Sequence, residues 1–136
     1  MSTAHKDGAR WVLETCSDPT VSLELDYAVS LRRRDGLVVR IEQPLVLRTA
    51  DGAEALIEPN GDVGALAPLL QLVRDELVRG IVEPDGHLLL SFESGYSIVV
   101  SPSAAFEAWE VSAPDGLRLV ALPGGGVAEW WPTRPR

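Results

Sequence analysis

A chain of 136 residues, 46% hydrophobic and 24% charged, has the size and balance of one globular domain, which excludes a disordered polymer. Twelve basic against twenty acidic residues give a net charge of -8; that charge repels phosphate backbones and anionic lipid heads, so neither nucleic acid nor a membrane is an expected partner, whereas a basic protein is. One cysteine and two histidines are too few for a disulfide framework or a structural zinc set, and no metal or cofactor is expected.

Residues 1–8 are small and polar and read as a frayed end, without the charged-then-apolar order of a secretion signal; no apolar run approaches the roughly 18 residues of a membrane span, and a cytoplasmic location is expected. Trp11, Val12 and Leu13 form the first apolar cluster. From Val21 to Leu31 the odd positions are apolar or aromatic and the even ones mostly polar, the period of a strand with one buried face. Arg32-Arg33-Arg34 then reads as a solvated hairpin tip ahead of Asp35-Gly36. Leu37, Val39 and Ile41 continue the odd pattern to Pro44, which cannot donate to a ladder and suggests a break or an edge position. Leu45–Leu47 and Ala53–Ile57 flank a second Asp-Gly pair, Asp51-Gly52.

Beyond the turn formers Pro59, Asn60 and Gly61 the period changes. Leu66, Leu69, Leu70, Val73 and Leu77 predict an α-helix over about 66–79, with Pro68 in its first turn and Gly80 as its left-handed end. Strands return at Ile81-Val82, 87–92, 96–100, 106–111, 117–122 and 127–131, punctuated by Asp85-Gly86, Ser94-Gly95, Asp115-Gly116 and Gly124-Gly125-Gly126. Each such pair marks a hairpin corner, because tight turns demand positive φ. Leu88-Leu89-Leu90 and Ile98-Val99-Val100 are unbroken apolar runs, the mark of central strands covered on both faces. The expected fold is therefore α+β: one domain over 1–136, a twisted, mostly antiparallel sheet of about seven or eight strands with the helix packed on one face. A weak internal repeat relates 35–59 to 85–123, with Asp35-Gly36 matching Asp85-Gly86 and Asp51-Gly52 matching Asp115-Gly116.

Few residues suggest chemistry. The triple glycine lacks the Lys-Ser/Thr ending and following helix of a phosphate loop and reads as a turn. On a strand Glu107 and Glu110 would face opposite sides, with no nucleophile between them. His87 reads as a rim residue, and Cys16 has no neighbouring base to activate it. The tryptophans carry more. Trp130 and Trp131 must face opposite sides of a strand, so one needs a second cover, either an intramolecular lid involving Trp11 or Pro132 or a contact surface.

Phe106-Glu107-Ala108-Trp109-Glu110, followed by Asp115-Gly116, Pro123-Gly124-Gly125-Gly126 and Trp130, resembles a family of small, uncharacterised actinobacterial proteins. Their pattern is a Phe/Tyr-Glu-x-Trp strand, a turn, and a Pro-Gly-Gly ending before a Trp. The resemblance is closest over the last third, looser in the middle and absent over 1–20. It implies a single domain and brings no catalytic residue. Small acidic proteins of this style are similar in size and charge to immunity proteins that block secreted toxins, an analogy only.

The leading expectation is a non-enzymatic, immunity-like binding protein that meets its partner through Trp109, Trp130, Trp131, Glu107, Glu110 and Glu129. The alternative is a small-ligand binder or minor enzyme with a pocket between sheet and helix, rimmed by His87 and Glu93. A third reading is a homodimer joined through an edge strand near Pro44 or at the C-terminal end.

Overall fold

The computed structural model describes residues 3–131 and contains two antiparallel sheets rather than one. In chain order the strands are β1 (Ala4–Asp7), β2 (Arg10–Leu13), β3 (Val21–Leu25), β4 (Val29–Arg33), β5 (Val38–Ile41), β6 (Leu45–Arg48) and β7 (Glu54–Ile57). After a 3-10 segment over Val63–Leu72 come β8 (Leu77–Val82), β9 (Leu88–Phe92), β10 (Ser97–Val100), β11 (Trp109–Ser112), β12 (Arg118–Ala121) and β13 (Val127–Trp130). A seven-stranded sheet runs β1-β2-β8-β9-β10-β6-β7, and a six-stranded sheet runs β13-β12-β11-β5-β4-β3. Their inner faces share one buried cluster that includes Leu13, Leu88, Leu90 and Ile98 from the first sheet and Val29, Leu31, Trp109 and Leu119 from the second. The protein is thus all-β, which overturns the expected α+β class.

The predicted helix fails for a visible reason. Leu66, Leu69 and Leu72 are buried while Leu70 and Val73 are exposed, so the apolar spacing is three, the period of a 3-10 helix, in which i and i+3 eclipse. Arg74 then turns left-handed at φ 69, and from Leu77 the chain pairs with β2 and β9. Gly80, expected to end a helix, lies inside β8; a Cβ there would come within 2.6 Å of the Leu13 side chain. The 3-10 segment touches β3 and β7, edge strands of the two sheets, and so closes one side of the sandwich.

Three further expectations change. The N-terminal segment read as frayed supplies β1, paired from Ala4 to Asp7 with β2. The long strand from Val21 is two strands folded at Asp26-Tyr27-Ala28, with Leu25 opposite Val29. Pro44 marks the break, one of its two expected roles, and not an edge: it lies where the chain crosses from β5 in one sheet to β6, an interior strand of the other.

The Asp-Gly corners are real, but aspartate and glycine do different work. At Arg33–Leu37 the Gly36 N–H donates to Arg33 O at 2.9 Å and the Arg33 N–H to Leu37 O at 2.8 Å, a three-residue loop that ends in a glycine bulge. The same pair of bonds recurs around Gly52, Gly86, Gly95, Gly116 and Gly125. Each of these glycines has positive φ, and among the described non-glycine residues only Arg74 does. The aspartates keep ordinary backbone angles and instead accept the N–H two residues on: Leu37 to Asp35, His87 to Asp85 and Leu117 to Asp115, each at 3.1 Å. At the Ser94-Gly95 corner Ser94 Oγ accepts the Tyr96 N–H.

The two sheets are related by a pseudo-symmetry. Exchanging β3–β7 with β8–β12 turns the order β8-β9-β10-β6-β7 into β3-β4-β5-β11-β12, which is the order of the other sheet. Each half folds as a three-strand meander in one sheet and then crosses to add two strands to the other. The corners align Gly36 with Gly95 and Gly52 with Gly116, so Asp35-Gly36 corresponds to Ser94-Gly95 and not, as the sequence suggests, to Asp85-Gly86.

Candidate protein-binding face

The outer faces of the two sheets differ at equivalent positions. On the seven-stranded sheet, one row of cross-strand partners runs Val12, Ile81, Leu89, Val99, Val46, Leu56, with His5 at the β1 end. These side chains alternate with the buried ones of the same strands and point away from the core. Leu56 is 67% exposed, Ile81, Leu89, Val99 and Val46 are part-exposed, and Val12, at the β2 end, is buried at 6%. Under the pseudo-symmetry, the row Ile81, Leu89, Val99, Val46, Leu56 corresponds on the six-stranded sheet to Glu24, Ser30, Arg40, Glu110, Val120. The second row carries three charged side chains, Glu24, Arg40 and Glu110, beside the buried Ser30 and Val120, and charge is what an outward row of a two-layer sandwich ordinarily carries; the first is aliphatic across six adjacent strands. In proteins generally, large contiguous exposed apolar patches tend to be interaction or ligand sites.

Charges line both sides of the aliphatic row. Arg79, Arg48 and Glu54 lie on one side, where Arg48 pairs with Glu54 at 2.5 Å and Arg79 makes no ion pair among the described residues. Asp7, Arg10 and Glu83 lie on the other, joined by Arg10–Glu83 at 3.4 Å and Arg10–Asp7 at 3.8 Å. Glu14 stands at the β2 end, in contact with His5. Three arginines against four carboxylates leave this face close to neutral on a chain of net charge -8.

The residues predicted for a contact do not form one surface. Trp109 is 2% exposed; its indole N–H donates to Gly86 O at 2.8 Å, tying β11 to the β8–β9 corner of the opposite sheet. It is a core residue and is removed from the contact. Glu107 and Glu110 line a shallow cleft of about 120 Å³ outside the six-stranded sheet, with Arg40 and Glu42. Near it Arg118 contacts Glu110 and lies 4.8 Å from the Trp130 ring centre; Trp130 is 48% exposed.

Glu129 and Trp131 sit at the other seam. Glu129 accepts the Trp11 indole N–H at 2.9 Å and pairs with Lys6 at 3.1 Å, and Trp131 rests on Trp11 with ring centres 4.9 Å apart. Trp131 therefore acts as a lid over Trp11 where β13 meets β1 and β2. Pro132, the other proposed lid residue, lies outside the described residues.

His87 and Glu93 do not converge. They flank opposite ends of β9, a separation of roughly 17 Å or more at strand rise. His87 Nδ1 contacts Asp85 at 3.0 Å, and the His87 backbone N–H, followed by its side chain, holds the Asp85 carboxyl below its ordinary value. Burial pushes the Cys16 thiol above its ordinary value, the opposite of what a nucleophile needs. Among the described residues no three His, Cys, Asp or Glu side chains gather as metal ligands, and no helix is long and apolar enough to cross a membrane.

Sequence reasoning missed the aliphatic face, although its signal was present. The runs Leu45-Val46-Leu47, Leu88-Leu89-Leu90 and Ile98-Val99-Val100 announced strands apolar on both sides. Among the described residues nothing is packed over their outer side as a further layer.

The fold and this face define a two-sheet, all-antiparallel β protein. The chain belongs to a family of unknown function, DUF6188, whose pattern matches residues 13–131. No curated protein and no solved structure matches it.

Proposed function

We propose that this protein is a non-enzymatic protein-binding module and that its contact surface is the outer face of the seven-stranded sheet. One observation carries the reading: the row Ile81–Leu89–Val99–Val46–Leu56 is aliphatic where the equivalent row of the second sheet is Glu24–Ser30–Arg40–Glu110–Val120. Solvation alone does not call for aliphatic side chains there, and the second sheet is the internal control. An immunity-like role would be one instance of such binding. The acidic remainder of the surface suits a basic partner and would speed its encounter.

The test compares proteins retained from native lysate by the wild type and by Leu89→Asp, alongside thermal melting of both. The expected result is a bound protein, another chain or another copy, that Leu89→Asp loses while melting within a few degrees of wild type. Equal retention by both, or no retention by either, defeats the reading.

A further inference from the structure

The same face is built to receive a second copy of itself, and we propose that the protein is a homodimer stacked through its seven-stranded sheet. This inference rests on the protein-binding reading above and names the occupant. It differs from edge pairing, because it leaves every strand edge untouched.

Three features fit a copy better than an unrelated chain. First, β9 is the middle strand of seven. A two-fold axis lying between the stacked sheets, parallel to the strands and passing over Leu89, sets Leu89 against its own mate. The same operation places Val99 over Ile81 and Val46 over Val12, so every aliphatic side chain of the inner row meets another. An isologous contact requires that kind of self-complementary order.

Second, the charges agree with the operation. Arg48 stands two strands from β9 on one side, and Glu14 follows β2, two strands away on the other. Both lie on the same flank of the row, so the axis brings the Arg48 of each copy to the Glu14 of the other. A near-neutral face is also what two chains of charge -8 need in order to approach, since like charges placed opposite one another are repulsive.

Third, the size suffices. Seven strands about 4.8 Å apart span roughly 29 Å, and the row with its flanks is about 20 Å wide. That is on the order of 600 Å² per copy and roughly 1,200 Å² in total, the lower bound of a specific, stable interface.

Sedimentation of the purified chain from low micromolar to millimolar concentration tests the proposal. Wild type is expected as a dimer, and Leu89→Asp as a monomer with the same far-ultraviolet circular dichroism. In a Cys16→Ser background, Leu89→Cys is expected to oxidise to a covalent dimer, because the residue lies on the axis, whereas Ile81→Cys, off the axis, is not. Arg48→Glu and Glu14→Arg should each weaken the dimer at least tenfold, and the double variant should recover most of the loss.

A wild type that stays monomeric throughout overturns the dimer. So does a dimer that Leu89→Asp leaves intact. If the wild type is monomeric yet Leu89→Asp still loses a lysate protein, the dimer alone falls and the binding module stands. If that variant also changes nothing in retention, both fall.

Discussion

Arg33 and Phe92 occupy the same position in the two halves of the fold. Each ends the middle strand of a meander and donates its backbone N–H across a corner, Arg33 to Leu37 O and Phe92 to Tyr96 O, and each is almost fully buried, at 3% and 4% exposure. Where one half places a phenyl ring, the other places a guanidinium. Its hydrogen bonds run to Glu14 O at 2.7 Å, Leu77 O at 3.2 Å and the Asp35 carboxylate at 2.7 and 2.9 Å. Arg33, from the six-stranded sheet, thereby satisfies two carbonyls at or beside strands of the seven-stranded one.

Truncating this side chain should be among the more damaging substitutions available. Arg33→Ala strands two backbone carbonyls and removes the counter-charge of Asp35, a loss of about 3 kcal/mol. Asp35 keeps some contact with water, which holds the cost to the low end of the range for broken buried pairs. Urea denaturation with an unchanged slope would measure it; a loss below about 1 kcal/mol would mean that the carbonyls find other donors.

The partner carboxylate predicts an acid limb. Burial raises the Asp35 pKa, but hydrogen bonds from Arg33 and from the Leu37 N–H, with the Arg33 charge, outweigh it and leave the value lowered. A carboxyl with a depressed folded value binds fewer protons folded than unfolded. Its stabilisation is therefore fully present above the unfolded pKa of about 4 and disappears as pH falls below that toward the folded value. Asp35→Asn should lower stability at pH 7 while flattening the fall as pH drops below the unfolded value of about 4. If the variant and wild type lose stability in parallel on acidification, the pair contributes nothing to that limb.

Glycine substitutions separate strain from crowding. Gly52 and Gly86 take the same place within their respective corner loops, at φ 91 and 100, but an added Cβ at Gly52 meets nothing within 4 Å. At Gly86 it would meet Pro102 Cβ at 3.0 Å and Gly126 O at 3.2 Å. Gly52→Ala should cost about 1 kcal/mol, the left-handed penalty alone, and Gly86→Ala at least about 1 kcal/mol more, because backbone cannot swing aside. Thermal or denaturant unfolding of the two variants reads the difference directly, and equal losses would show that the Gly86 corner yields freely.

The corners were legible because their chemistry is local, an aspartate oxygen for one N–H and a glycine for one angle. The corner at Asp26–Ala28 was hidden for an equally physical reason. Leu25 and Val29 are paired, and residues four apart share parity, so a three-residue loop lets the odd-position pattern run unbroken from one strand into the next. The helix was misread because Leu66 and Leu69 satisfy periods of 3 and 3.6 alike. What decides between them is that Leu77–Val82 is claimed by β2 and β9, about seventy residues upstream and ten downstream, pairings that local periodicity cannot register. The six proposed contact residues scattered for the same cause: which face and which sheet a strand joins depends on distant partners.

The interleaving of the two halves sets a condition on how the chain reaches this state. β5 pairs with β11 and β6 with β10, contacts separated by roughly seventy and fifty residues, and proteins dominated by such distant pairings fold slowly, in milliseconds to seconds. As the chain leaves the ribosome, the first meander has no finished neighbour to join until the strand carrying Trp109 has emerged. Nascent chains ending before that tryptophan should remain protease-sensitive, and extension past β12 should confer resistance abruptly.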